Sequence, residues 1–358
     1  MLRRILYIIN LFCALALALT YLPALIPQDI LTKLSLLSYA YPLMLVINIC
    51  FIVLWIFLKP RHILLSLFFV LIRVGYVPRL ITYHSEDKQG ELKVLTYNVK
   101  EFTYRIDYND NVALGVLQDS ILHYIGSTNA DVVCLQDYSV DTKQKRGFHA
   151  TIVDSLGYKY YYYHNLNNRR VDNCAIYSKL PIKNSGSLLE EDEKADFAIF
   201  ADIKAGKQMV RICNLHLISY MLGPQEQSDY MNMIKGDISN TASQNILTKL
   251  CVANSKRAKQ LRKLMPQLKR TQKALIVVGD MNDTPFSYTY EQFNDLLSDA
   301  FVSKGYGIGT TYNGVFPAYR IDYVFYERSR LSAVSYKSDR IDYSDHYPVL
   351  ATFNIKIE

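Results

Sequence analysis

The chain has 358 residues, half of them hydrophobic, with 40 Lys and Arg against 33 Asp and Glu, a formal net charge of +7 at pH 7. Six cysteines without a CxxC pair and seven scattered histidines exclude a clustered zinc site. The basic excess lies in residues 1–81, where Arg3, Arg4, Lys33, Lys59, Arg61, Arg73 and Arg79 face one acid, Asp29. Residues 82–358 therefore keep 33 basic and 32 acidic side chains, and this balance does not indicate a duplex nucleic-acid partner.

The first elements are apolar. Residues 5–22 and 36–58 each approach the roughly 20 residues that cross a bilayer as helix. A third run, 63–81, is interrupted by Arg73, whose burial near a helix centre costs about 3 kcal/mol on insertion scales. Arg3 and Arg4 before the first run, and Lys59 and Arg61 after the second, place both of those ends on the cytoplasmic side by the positive-inside rule. The third run then decides the side of everything downstream. If it crosses, the rest of the chain emerges outside; if it lies in the interface, anchored by Arg73 and Arg79, the rest stays in the cytosol. The first run also reads as a cleavable signal peptide, with Ala16-Leu17-Ala18 near its end, and cleavage leaves the final side unchanged. An extracytoplasmic domain is the favoured reading. The expected partition is a membrane anchor over 1–81 with two or three spans, a polar linker over 82–91, and one large domain over 92–358.

Within that domain, polar residues recur at the ends of strand-like runs. Asn98 closes LKVLTYNV, and Asp137 ends DVVCLQD. The tyrosine run 158–163 alternates faces of a strand, so some rings enter the core and others are free to line a cleft. Arg169 and Arg170 occupy a loop before CAIYSKLPI and are the candidates for substrate contact. His216 lies inside VRICNLHLIS, where a satisfied core histidine is the simpler reading of that residue alone. A polar insertion, 219–244, follows as loop or helix. Lysines and arginines over 256–270 have helical spacing and read as a solvated face. Asp280 and Asn282 close ALIVVGDMN, two residues apart on an extended segment. Asp322 lies in YRIDYVFY, and Asp345 and His346 open SDHYPVLATF. An isolated Asp-His pair is more often a surface hydrogen bond than a catalytic dyad. The ordered repetition of strand-end polar groups argues against that reading here, since a sheet holds short side chains at fixed separations.

Taken in order, YNV, CLQD, NLHL, GDMND, RIDYVF and SDHYPV resemble the endonuclease/exonuclease/phosphatase superfamily of metal-dependent phosphoesterases, over about 92–353. The resemblance implies an α/β four-layer sandwich, two packed and mostly antiparallel β-sheets covered by helices on their outer faces. It also implies that Asp137 holds Mg²⁺ or Mn²⁺ with Asn98 and Asp345 close by, hard oxygen donors suited to such ions. Asp280 would orient or deprotonate the attacking water, and Asn282 would fix that water or the phosphate. His346 would contact the scissile phosphate, with Asp322 accepting its other N–H, and His216 would serve the leaving oxygen. The expected activity is membrane-tethered hydrolysis of a phosphodiester or phosphomonoester in nucleic acid, a phospholipid head group or an inositol phosphate. One position departs from the pattern, because Asp137 stands where the family places Glu and its carboxylate retreats by roughly 1.5 Å from a cation with Mg–O distances near 2.1 Å. That departure keeps a second reading open, a binding module of the same fold with impaired catalysis.

Overall fold

A computed structural model describes residues 1–84, 90–107, 110–138, 147–163, 174–189, 197–220, 223–234, 240–314 and 319–356. Arg169, Arg170 and the basic stretch 143–146 lie outside the described residues, as do residues 85–89 of the linker. The helices are α1 (Leu2–Leu19), α2 (Leu22–Leu25), α3 (Tyr41–Leu58), α4 (Ile63–Ile72), α5 (Val77–Leu80), α6 (Asn111–Thr128), α7 (Phe148–Ala150), α8 (Pro224–Ile234), α9 (Asn240–Lys269), α10 (Tyr288–Asn294) and α11 (Ala300–Lys304). The strands are β1 (Ile81–Tyr83), β2 (Leu92–Asn98), β3 (Val132–Gln136), β4 (Tyr160–Tyr163), β5 (Cys174–Ser178), β6 (Ile182–Ser187), β7 (Ala198–Ala205), β8 (Gln208–His216), β9 (Ala274–Asp280), β10 (Ser298–Asp299), β11 (Tyr306–Ile308), β12 (Asp322–Tyr326), β13 (Leu331–Ser338) and β14 (Val349–Ile355). They form two compact units. One comprises Met1–Leu80, Ser219–Leu261 and Asp283–Gln292; the other comprises Ile81–Ile218, Arg262–Asn282 and Phe293–Glu358. Neither unit is contiguous in sequence.

In the first unit, Leu2–Leu25 and Thr32–Leu58 are long and apolar enough to cross a bilayer. The third run is a bent pair, Pro60–Ile72 and Val74–Leu80, meeting at 59°. Arg73 sits in the break with non-helical dihedrals, φ −126° and ψ 38°, so it does not occupy a helix centre. Pro78 cannot donate to the Val74 carbonyl, which removes a hydrogen bond needed to continue the helix through the bend. Tyr7 of α1 packs on His62 before α4, while the Tyr21 hydroxyl donates to the Phe69 carbonyl at 2.8 Å, so α4 runs in the same sense as α1. Buried polar side chains join the helices: Trp55 Nε1 donates to Asn10 Oδ1 (2.8 Å), Asn10 Nδ2 to Ser66 Oγ (2.6 Å), and Ser66 Oγ to Asn48 Oδ1 (2.9 Å). Asn48 Nδ2 completes the chain by donating to the Cys13 and Met44 carbonyls.

Two expectations for basic residues are corrected in this unit. Arg79 is no interfacial anchor. It is buried, its guanidinium forks onto both Glu291 oxygens at 2.8 and 3.1 Å, and it lies over the rings of Tyr76 and Tyr290. Nor is the 256–270 face uniformly solvated, because Arg257 is fully buried, bonded to Tyr220 and Asn254, with its Nε 3.5 Å from Asp283. Asp283 in turn accepts from Gln28 and Thr289, both at 2.7 Å. Hydropathy and helical spacing describe a side chain's own element, whereas these cations are matched by acids more than 20 residues away in sequence.

The second unit holds two six-stranded mixed sheets, ordered β13-β14-β2-β3-β5-β4 and β10-β12-β9-β8-β7-β6. Each has one parallel pair, β2 with β3 and β8 with β9, and is otherwise antiparallel. The core explains why these strands read as unbroken apolar runs. Val94, Val132 and Ile176 of the first sheet cluster with Ile212, Ile276 and Val324 of the second, while the alternate Leu95, Val133 and Tyr177 face outward onto Leu117, Ile121 and Ile125 of α6. Both faces are thus covered, as the superfamily's four-layer arrangement requires. Cys134 and Cys213 are buried free thiols, as their place in apolar strands implies. In β4, Tyr162 packs on the inter-sheet core while Tyr161 and Tyr163 stack at 5.8 Å on the other face, against His149.

Candidate active site

Strand pairing brings the second sheet's polar residues into a row. His216 pairs with Asp280 across β8 and β9, and Asp280 pairs with Asp322 across β9 and β12. The β8–β9 approach is so close that a Cβ on Gly279 would overlap the Leu215 carbonyl oxygen, and Gly279 also has φ +127°, so the glycine of GDMN is a steric requirement. In the first sheet Asn98 pairs with Gln136, and Asp137 follows directly. The two rows meet at one end of the sandwich, where Asn98 Nδ2 donates to Asp280 Oδ2 at 3.1 Å. The segment before β14 supplies Ser344, whose hydroxyl donates to the Asn98 carbonyl at 2.7 Å and thereby holds Asp345 and His346 against the strand ends.

Six of the sequence candidates converge closely. His346 Nδ1 lies 3.0 and 3.1 Å from the Asp322 oxygens, and its Nε2 is 3.7 Å from Asp280 Oδ2. His216 places Nε2 3.7 Å from the same Asp280 oxygen and Nδ1 3.5 Å from Asp137. That Nδ1 is buried without a hydrogen-bond partner among the described residues. Asp345 approaches His346 Nε2 at 3.9 Å. Asn282 departs from the expected geometry. Its φ of +52° is left-handed and not extended, its N–H donates to Asp280 Oδ1 (2.8 Å), and its Nδ2 is committed to the Leu217 carbonyl (2.9 Å). Its visible work is to brace the Asp280 carboxylate.

Lys100 is the member that sequence reasoning missed. Its ammonium sits 3.9 Å from Asp137 and 3.7 Å from Asp345. A left-handed turn at Lys100, Glu101 and Phe102, with φ of 49°, 50° and 60°, sets its position just after Asn98. Asp137 is itself left-handed at φ 45°. Such backbone is costly for residues with a Cβ and clusters where function over-determines it. The only sequence signal was a basic residue two places beyond a strand-end Asn.

The charges of this group are mutually dependent. Burial raises the Asp280 carboxyl, Asp322 adds to the effect and the two imidazoles oppose it, leaving it at about 6. Burial lowers His346, but Asp322 and Asp280 outweigh it and push the imidazole up to about 10. Asp137 resists burial because His216, Lys100 and His346 hold it below the usual carboxylate range. Ligand atoms of Asp280, Asp322 and His346 all lie within 4.8 Å of one another, close enough to share a metal ion. Asp137 and Asp345 form a second acidic pair, facing the Lys100 ammonium.

The model of the Endonuclease/Exonuclease/phosphatase family matches residues 95–346, and a domain of unknown function matches residues 3–80. No curated protein sequence matches the chain. Among solved structures, a 3′ phosphatase from Neisseria bound to product DNA hairpin is 16% identical, with a TM-score of 0.50 and coverage of 74% of this chain and 99% of that one. An endonuclease/exonuclease/phosphatase from Bacteroides vulgatus gives the same identity, score and coverage. Since the first model takes in well over half of the sequence and every strand-end residue described above, the chain belongs to the Endonuclease/Exonuclease/phosphatase family, whose members are hydrolases acting on phosphoester bonds.

Proposed function

We propose that this protein is a membrane-tethered, Mg²⁺- or Mn²⁺-dependent phosphoesterase that cleaves its substrate by attack of water. The observation that carries the reading is the Asn98–Asp280 hydrogen bond, which closes the gap between the two sheets and puts Asp137, His216, Asp280, Asp322, Asp345 and His346 around one space. Asp137 and Asp345, with Asn98, would hold the ion, and the ion would supply a positive charge for a non-bridging phosphate oxygen. Asp280, with its carboxyl near 6, is matched to accept a proton from water at neutral pH. His346, fixed by Asp322 as an imidazolium, offers Nε2–H to the phosphate. His216 presents its partnerless Nδ1 on the Asp137 side.

The near-neutral charge of residues 82–358 favours a small or lipid-borne phosphate ester over duplex DNA. The catalytic side is proposed to be extracytoplasmic. In support, α4 starts beside the basic end of α1 and runs with it, so the third run traverses the layer in the direction of the first. Alkaline-phosphatase and fluorescent-protein fusions at the C-terminus would report the side; fluorescence without phosphatase activity would reverse it.

The test of the chemistry is hydrolysis of bis(p-nitrophenyl) phosphate by the full chain in detergent across a Mg²⁺ and Mn²⁺ titration. Metal-dependent turnover lost in Asp280→Asn and His346→Ala supports the enzyme; equal turnover in all three proteins refutes the site. The impaired-module reading rests on the short Asp137 side chain alone. Restoring the family's Glu should retain or raise Mg²⁺ affinity, and an Asp137→Glu protein that no longer binds the metal would remove this residue from the ion's neighbourhood.

A further inference from the structure

The first unit contains a groove of about 930 Å³ between the turn that joins the two spans and the side of α9. One wall is Ile30 to Leu36, and the other is the α9 face carrying Leu247, Cys251 and Val252, then Lys256 and Lys259. Two contacts build it: Asn254 Nδ2 donates to Ser35 Oγ at 2.6 Å, and Cys251 Sγ lies 3.8 Å from the Thr32 carbonyl oxygen. Ile30, Leu31, Leu247 and Val252 are exposed, an unusual apolar cluster for a surface in water. Lys33, Lys256 and Lys259 are exposed at its rim, no acid lines it, and none of the three is ion-paired among the described residues.

We propose that this groove binds an anionic phospholipid of the surrounding bilayer, acyl chain against the leucine, isoleucine and valine side chains and phosphate against the three ammonium groups. Position and charge select this occupant. The groove's first wall begins in the connection between the two spans, at Ile30 and Leu31, and continues into the first residues of the second span, so it lies where chain leaves hydrocarbon for head groups. Along α9 the lining passes from apolar at Leu247 to cationic at Lys259 over 12 residues, about 18 Å of helix, the polarity order of a lipid from tail to head. A soluble anion would not use the apolar half, and a zwitterionic lipid would not use the excess of positive charge. The inference rests on reading Leu2–Leu25 and Thr32–Leu58 as spans, and it is independent of the site's chemistry.

Cys251 places a reporter in the wall. The full chain, with Cys13→Ala and Cys50→Ala, is labelled at Cys251 with a bimane fluorophore and reconstituted in phosphatidylcholine nanodiscs. Brominated phosphatidylglycerol should quench the label at mole fractions where brominated phosphatidylcholine does not. Lys256→Gln should weaken that preference about fivefold, the effect of the roughly 1 kcal/mol that one lysine contributes at an anionic surface. Thermal melting of the variant establishes that it remains folded. Equal quenching by both lipids, quenching by neither, or a preference unchanged in Lys256→Gln combined with Lys259→Gln would overturn the proposal. Failure of the chain to float with vesicles would overturn the span reading and this inference together, whereas flotation without lipid preference sinks only the inference.

Discussion

The two units bury polar groups for opposite ends. In the helical unit Asn10, Asn48, Ser66 and Trp55 satisfy one another, so the network holds α1, α3 and α4 together. In the sandwich, His216 and His346 each lie 3.7 Å from Asp280, and one imidazole nitrogen lacks a hydrogen-bond partner among the described residues. Groups left short of their hydrogen bonds are costly to the fold and available to a ligand. A buried polar residue is therefore read together with its partners, and at the strand ends the shortfall coincides with carboxylates and imidazoles able to take part in chemistry.

This contrast can be broken in several ways. Removing residues 1–80 should be most damaging, since Asn254, Asp283 and Glu291 would lose Ser35, Gln28 and Arg79 respectively. The truncated chain is expected to lose cooperative melting or to aggregate; a soluble, sharply melting 81–358 fragment would show that the two units are energetically separable. Asp280→Asn should reduce kcat about 10²- to 10⁴-fold while moving Tm little, because the carboxylate it removes is one that burial disfavours. A large fall in Tm would make Asp280 a structural residue like Asn10.

A smaller effect concerns pH. The folded protein raises His346 from 6.5 to about 10, so its stabilising contribution is complete below 6.5 and disappears as pH rises through 10. Between those values Tm should fall with pH more steeply in the wild type than in His346→Ala; parallel curves would mean the imidazolium is not held. Activity should climb through about pH 6 as Asp280 loses its proton. Least of all, Asn10→Ala should cost on the order of 1 kcal/mol in melts of detergent-solubilised protein, with kcat per folded molecule unchanged. A fall in kcat would tie the helical network to the chemistry.

Much of this was legible in the residues. Asn98, Asp137, His216, Asp280, Asp322 and His346 each close or adjoin a run buried on both faces, and period-two strands make such ends predictable. The illegible parts depend on backbone sign or distant partners. Asn282 was placed by extended geometry, but its left-handed φ turns it back onto Leu217. Lys100 reaches the acids through a left-handed turn that propensity would not choose. The burial of Arg257 depended on Asp283 and Tyr220, neither of which shares its helix.

The Arg79–Glu291 pair also bears on biogenesis. The acid that neutralises this arginine is 212 residues downstream, so at ordinary elongation rates the third apolar run waits roughly 10–40 s for its counter-charge. During that interval the run carries two arginines, Arg73 and Arg79, and the acid that pairs with Arg79 is translated after four strands of the first sheet. The packing of this run against α10 therefore forms late in synthesis, once Glu291 has been translated.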